Sequence, residues 1–166
     1  MKNPRLDIMH DLMEGCIPED LLSINRILIK LNWMTIIQYN STLESLEFAS
    51  YERGDKPYPL QNSKKNKKLR GKAVSNWVHI RNWPFIIKKF IIRTDDPVLR
   101  LGLMLHEIVE RLVALQFYEY EIDILEDQII SYLDLRKTIR DNYPNLMTNP
   151  KPKHHYLRKD AIWLCC

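Results

Sequence analysis

The sequence predicts an all-α fold, an irregular bundle of five or six helices with extended N- and C-terminal segments. Three observations predict it. Apolar residues recur at helical spacing in several long stretches. The sharpest start signals place Pro directly beside acids or cap residues. Nine Pro and only four Gly fit helices joined by Pro-marked turns better than a Gly-rich sheet protein. At 166 residues, 45% of them hydrophobic and 28% charged, the chain fits one globular domain with a core. The expected division is a single helical domain over residues 1–157 and a divergent tail over 158–166.

The first helix is expected over residues 19–33. Pro18 occupies its first turn, Glu19 and Asp20 put negative charge at the positive end of the helix dipole, and Leu21, Leu22, Ile24, Ile27, Leu28 and Leu31 recur at helical spacing. A second helix over 35–48 carries Ile36, Ile37, Tyr39, Leu43 and Leu46, and Gly54, Pro57 and Pro59 keep it from continuing. Residues 61–72 are polar and basic and read as a loop or a flexible helix entry. Residues 73–79 read as helix. Pro84 is expected to break or restart it, leaving Phe85, Ile86, Ile87, Phe90, Ile91 and Ile92 as a buried apolar segment of undecided type.

Thr94-Asp95-Asp96-Pro97 is a strong helix start, with a cap residue followed by Pro at the first turn. Leu101, Leu105, Ile108, Leu112 and Leu115 then form one stripe. A longer helix over 119–143 marks a face with Ile122, Leu125, Ile129, Leu133 and Arg136 and ends before Pro144. The remainder, with Pro150 and Pro152, is expected to be extended.

Composition excludes some classes. Charged residues interrupt every apolar stretch well short of the roughly 20 residues a spanning helix needs, and charge and Pro stand where a secretory signal would have its apolar core. Cys16, Cys165 and Cys166 do not make a disulfide framework, so a reducing, nuclear or cytoplasmic setting is expected rather than secretion.

Four motifs carry possible chemistry. Asp7 and His10 form a D-x-x-H pair that shares a face on a helix, where the carboxylate offers an oxygen ligand to Mg²⁺ and the imidazole orients it. A solvated turn with a capping carboxylate is the plain alternative. Lys64, Lys65, Lys67, Lys68, Arg70 and Lys72 form the one dense basic cluster, with Trp77 and His79 just beyond. They suit phosphate neutralisation without sequence reading, a nuclear-import signal, or a solvated loop. Lys88, Lys89 and Arg93 extend that patch if the intervening apolar residues face inward.

His106-Glu107-Ile108-Val109-Glu110 mimics a zinc-protease helix with Glu in place of the second His, although an ion pair of Glu107 with Arg111 on the solvent face also accounts for it. Finally, the adjacent His154 and His155 do not suit one metal, nor do Cys165 and Cys166. The tail reads as a positioning segment docked by Tyr156 and Leu157. Trp33, Trp77, Trp83 and Trp163 read as core or contact aromatics.

Taken in order, Asp7-Ile8-Met9-His10-Asp11-Leu12-Met13-Glu14-Gly15 and Lys151-Pro152-Lys153-His154-His155-Tyr156-Leu157 resemble a region of transposase-like proteins encoded by mobile DNA in animal genomes. There the first segment commonly reads Asp-x-Met-His-Asp-Leu-Leu-Glu-Gly. The likeness continues at Pro18, at Lys68-Leu69 with Ala73, from Pro84 to Ile87, and around Glu107 to Val113, so it spans almost the whole chain. It implies a ribonuclease-H-like core, in which acids hold two Mg²⁺ or Mn²⁺ ions, interrupted by a helical insertion. The implied reaction is phosphodiester cleavage and strand transfer. Asp7 and His10 would sit at the edge of that core, Asp7 as a metal ligand, and Glu107 could be a third acid.

The chain departs from the pattern at Met13, and at Arg158-Lys159-Asp160-Ala161, where relatives continue with a His-Tyr-Pro type segment. It also starts at the motif, so strands carrying a first acid are missing from it. The expectation is therefore a transposon-derived fragment with vestigial Asp7 and His10, no cofactor bound by itself and no cleavage by itself. It would bind DNA, other parts of a transposase core or another subunit through the basic loop. The rival expectation is an interaction module with no nucleic-acid role, whose helices over 19–33 and 97–143 present an apolar groove. A third is a small metal hydrolase using His106, Glu107 and Glu110.

Overall fold

A computed structural model describes residues 8–62, 65–114, 119–150 and 154, without the side chains of Ile8, Met9, Asp11 and Glu119. The described residues form five α-helices: α1 (Ile17–Lys30), α2 (Ile36–Ser45), α3 (Ala73–Ile87), α4 (Pro97–Leu112) and α5 (Glu119–Asn142). Short 3₁₀ turns stand at Ser50–Asp55 and Lys88–Phe90, and no strand occurs among the described residues. The expected all-α class is the observed one. Ile8–Cys16, which apolar periodicity does not assign, is a π-helical run leading into α1, and it buries Leu12, Met13 and Cys16.

The centre of the bundle is α1. A helix lying on a surface buries one stripe, whereas α1 buries Ile17 to Asn25 without a break and then Ile27 and Leu28. The π-helical run, α3 and α4 pack on it, and α5 reaches it through Tyr132 and Arg136. Its end is set by Asn32, whose φ of 59° is left-handed. The amide of Asn32 donates to Ile29 O at 3.0 Å and that of Trp33 to Leu28 O at 3.0 Å, which satisfies the last carbonyls.

Local chemistry explains the next starts. Thr35 and Gln38 form a reciprocal capping box at α2, with bonds of 2.8 and 3.2 Å. The helix stops at Ser45 rather than near 48. Leu46 turns extended, and the Thr42 and Ser45 hydroxyls donate to the carbonyls of Gln38 and Thr42, competing with the amide ladder. Asp96 caps α4, its Oδ1 accepting from the amides of Val98 at 2.8 Å and Leu99 at 3.3 Å. α4 and α5 begin where expected.

The largest departure is α3, which runs through Pro84 to Ile87. A proline inside a helix removes the N–H that would serve the carbonyl four residues earlier. That carbonyl belongs to Ile80, and Nδ1 of His106 on α4 lies 3.1 Å from it and donates instead. The apolar segment after Pro84 is thus helix followed by a 3₁₀ turn, with Ile86 and Ile87 buried. α4 packs against this stretch at very close range. A Cβ on Gly102 would stand 2.3 Å from Cη2 of the fully buried Trp83.

α4 and α5 lie antiparallel: Gln128 Nε2 donates to Glu107 Oε2 at 3.3 Å, and Arg111 meets Glu121 at 3.9 Å. On α5 the buried stripe is Leu125, Ile129, Tyr132, Arg136 and Ile139, which keeps three of the five residues expected on that face. Past Pro144 the chain turns, the amides of Leu146 and Met147 donating to Tyr143 O, and Met147 is buried. Leu115 and the tail over 158–166 lie outside the described residues.

Gly102→Ala should lower stability by about 1–3 kcal/mol, because the added methyl must displace Trp83, despite the better helix propensity of Ala. Urea unfolding checks this, and an unchanged or raised midpoint contradicts the close packing.

Candidate functional site

The basic loop is built around one anchor. Leu69 is buried and its amide donates to Pro18 O at 2.9 Å, so the loop is pinned at its middle. Lys65, Lys67, Lys68, Arg70 and Lys72 on either side of it are exposed. Lys64 lies outside the described residues. Two further bonds hold this stretch to the run before α1: Lys68 Nζ donates to Glu14 O at 3.2 Å, and Asn76 Nδ2 donates to Met13 O at 2.9 Å. The loop therefore lies beside the π-helical run that carries His10.

His10 itself is exposed, on the same run. Asp7, its partner in the D-x-x-H pair, lies outside the described residues. From Lys56 to Thr94 the chain has no Asp or Glu, so nothing within that stretch offsets its cations. Lys88 and Lys89 are exposed, but they follow α3 while the loop precedes it. Fifteen residues of helix separate them by roughly 22 Å. They do not extend the loop's patch, and Arg93 is occupied by Asp95 and Asp96 at 3.7 Å. Neither Trp77 nor His79 is presented for stacking on bases. The Trp77 ring lies under Arg81 at 5.7 Å, and His79 is buried.

The side chains of the helix motif on α4 are engaged with neighbouring helices. His106 serves the carbonyl freed by Pro84, and Glu107 accepts from Gln128 across the α4–α5 interface. Arg111 pairs with Glu121 rather than with Glu107, so the expected pair on one helix is replaced by contacts between two. Among the described residues no three His, Cys, Asp or Glu side chains converge as ligands.

The most concentrated polar chemistry lies where periodicity does not place a site. Asp20, Arg136 and His154 are each fully buried, and Tyr132 and Glu19 nearly so. Arg136 Nη2 donates to Asp20 Oδ1 at 2.7 Å, its Nε lies 3.0 Å from both carboxylate oxygens, and its Nη1 donates to Thr148 O at 3.0 Å. Tyr132 and His154 Nε2, the latter at 3.1 Å, donate to Asp20 Oδ2, and Thr148 donates to Glu19. Both oxygens of Asp20 are thus occupied by protein donors, which leaves the carboxylate no capacity for a metal. Burial alone would push its pKa up. Hydrogen bonds from His154 and Arg136 and the Arg136 charge outweigh that, so its carboxyl stays below the usual range.

This cluster ties α1 to α5, to Thr148 and to His154. Tyr156 and Leu157, expected to dock the tail, lie outside the described residues, as do His155, Trp163, Cys165 and Cys166. The one signal in the sequence is Arg136 on the apolar stripe of α5, since a guanidinium facing a core needs a carboxylate.

A second buried network joins α1, α2 and α3. Trp83 Nε1 donates to Asn25 Oδ1 at 3.0 Å, the Tyr39 hydroxyl meets His79 Nε2 at 2.8 Å, and Asn25 Nδ2 lies 3.4 Å from that hydroxyl. Burial pulls the His79 pKa down to about 4 and raises that of Tyr39. Burial thus disfavours a charged imidazole at His79, which shares one hydrogen bond with the Tyr39 hydroxyl.

Comparison with protein-family models, curated proteins and solved structures finds no match to this chain.

Arg136→Met leaves Asp20 charged, buried and without its main partner, and should cost about 3–5 kcal/mol in denaturant unfolding. A loss below about 1 kcal/mol contradicts the cluster. Acid sensitivity has two stages. Below the unfolded His value of about 6.5, the unfolded chain takes up a proton that folded His79 refuses down to about 4. Stability then falls by up to about 1.4 kcal/mol per pH unit. Asp20, with its pKa depressed on folding, contributes stability above about 3.9 that is lost as pH falls further. Urea unfolding from pH 7 to 4 should show the first slope, and His79→Gln should flatten it. An equal slope in the variant rules His79 out as its source.

Proposed function

We propose that this chain is the helical part of a transposase-like protein and that it binds the DNA backbone through the basic loop. The observation that carries the reading is the placement of that loop. A row of exposed cations, pinned by Leu69, is hydrogen-bonded to the segment that holds His10 of the D-x-x-H motif. Phosphates gathered by Lys65, Lys67, Lys68, Arg70 and Lys72 would lie beside the motif that the resemblance connects with metal-dependent phosphodiester chemistry. Binding of this kind is electrostatic and indifferent to sequence.

Asp7 is the carboxylate the motif offers to Mg²⁺ or Mn²⁺. One carboxylate does not by itself hold two ions, so cleavage in this reading requires further acids. The role of this chain in the reading is to hold DNA and to contact the remainder of a core, not to cut.

Fluorescence anisotropy on a labelled duplex across a salt series tests this. Neutralising six phosphates gives a slope of about −5 in log K against log salt. Replacing Lys64, Lys65, Lys67, Lys68, Arg70 and Lys72 by Ala should remove most of that slope while circular dichroism stays unchanged. Absence of binding at low salt, or an unaltered slope in the variant, refutes the reading.

A further inference from the structure

Two exposed surfaces at opposite ends of α4 match each other in chemistry, and one copy of the chain cannot bring them together. The first is the corner after α3. Phe85 is 65% exposed and Ile92 64%, and between them Lys88 and Lys89 point to solvent from the 3₁₀ turn. The second is on the first half of α5. Tyr120 is 64% exposed and Ile124 42%, with exposed Asp123 and Asp127 at the spacing that puts all four on one helix face. Each surface has one aromatic, one isoleucine and two like charges, and the charges are of opposite sign.

None of Lys88, Lys89, Asp123 and Asp127 forms an ion pair among the described residues. The corner precedes the start of α4, whereas the acidic face runs beside the last turns of that helix, where Gln128 meets Glu107 and Glu121 meets Arg111, so at least about ten residues of helix, roughly 15 Å, hold them apart. The exposed aromatic and aliphatic side chains beside charges of opposite sign make the two surfaces complementary in chemistry.

We propose that these surfaces bind each other between copies of this chain, the Phe85 corner of one copy seated on the Tyr120 face of the next. The contact joins two different patches, so it is head-to-tail and each copy keeps one surface open. It therefore extends into a ring or an open row rather than closing as a two-fold dimer. Few side chains take part, which makes it a weak, transient contact that depends on concentration and salt. Complementary charge sets its register, and the aromatic rings supply the buried area.

Analytical ultracentrifugation of the 166-residue chain tests the proposal. The wild type should associate with rising concentration, and less so in high salt. Lys88→Glu/Lys89→Glu places acid against acid and should weaken association by about a hundredfold. Asp123→Lys/Asp127→Lys should do the same from the other side. Mixing the two variants is decisive, because each retains the surface the other has lost. The mixture should associate again in alternation, because the reversed corner of one variant also matches the reversed face of the other in charge, with both variants keeping the wild-type circular dichroism. The proposal is wrong if the wild type stays monomeric throughout, or if both variants associate as it does. It is equally wrong if the mixture stays monomeric, or if the corner takes only an acidic peptide or an anionic vesicle.

Discussion

A carboxylate placed on the central helix, with no access to water, constrains the architecture more than any other group. Asp20 would be intolerable in an apolar core by itself, because moving an ion out of water costs several kcal/mol even after relaxation. It is stable there because Arg136, Tyr132 and His154 supply donors to both its oxygens. Those donors come from α5 and from His154, so the requirement for pairing fixes where both must lie. Apolar packing would allow α5 to slide or rotate on its neighbours, whereas a guanidinium bonded to one carboxylate allows one register.

The same logic recurs at smaller scale. The carbonyl freed by Pro84 is met by His106, and this commits α4 to a particular height on α3. Gly102 against the Trp83 ring then sets how closely the two helices approach. Asn25, Tyr39, His79 and Trp83 join α1, α2 and α3 through side chains that are polar at one end and apolar in bulk. With its interior fixed in this way, the bundle can leave strongly charged surfaces outside. These are the loop beside the His10 segment, the corner after α3 and the acidic face of α5.

Features governed by local rules are legible in the sequence. The capped start at Asp96 and the start of α2 near Thr35 depend on residues within a turn or two and stand where periodicity and cap chemistry put them, and the stripe of α5 keeps Leu125, Ile129 and Arg136 of the expected face. Dependence on distant partners is not legible. Pro84 reads as a break because its compensating donor comes from another helix. Glu19 and Asp20 read as acids at a helix start, since the residues that bury and pair Asp20 are more than a hundred positions away. The basic run is legible as a loop. That it lies against residues 13–18, and that Lys88 and Lys89 belong to a different end of the bundle, requires the fold. Arg136 is the exception, a cation on an apolar stripe that points to a buried acid without saying which.

Asp20 remains ionised inside the folded chain because donors from α5 and from His154 hold it so, and the placement of both rests on that charge. Its side-chain carboxyl carbon, followed by NMR in specifically labelled protein as acid is added, reports the charge directly. The Asp20 resonance should stay at the ionised position down to the pH at which the chain unfolds. A titration midpoint near the ordinary carboxylate value of about 3.9 while the fold is intact would contradict this.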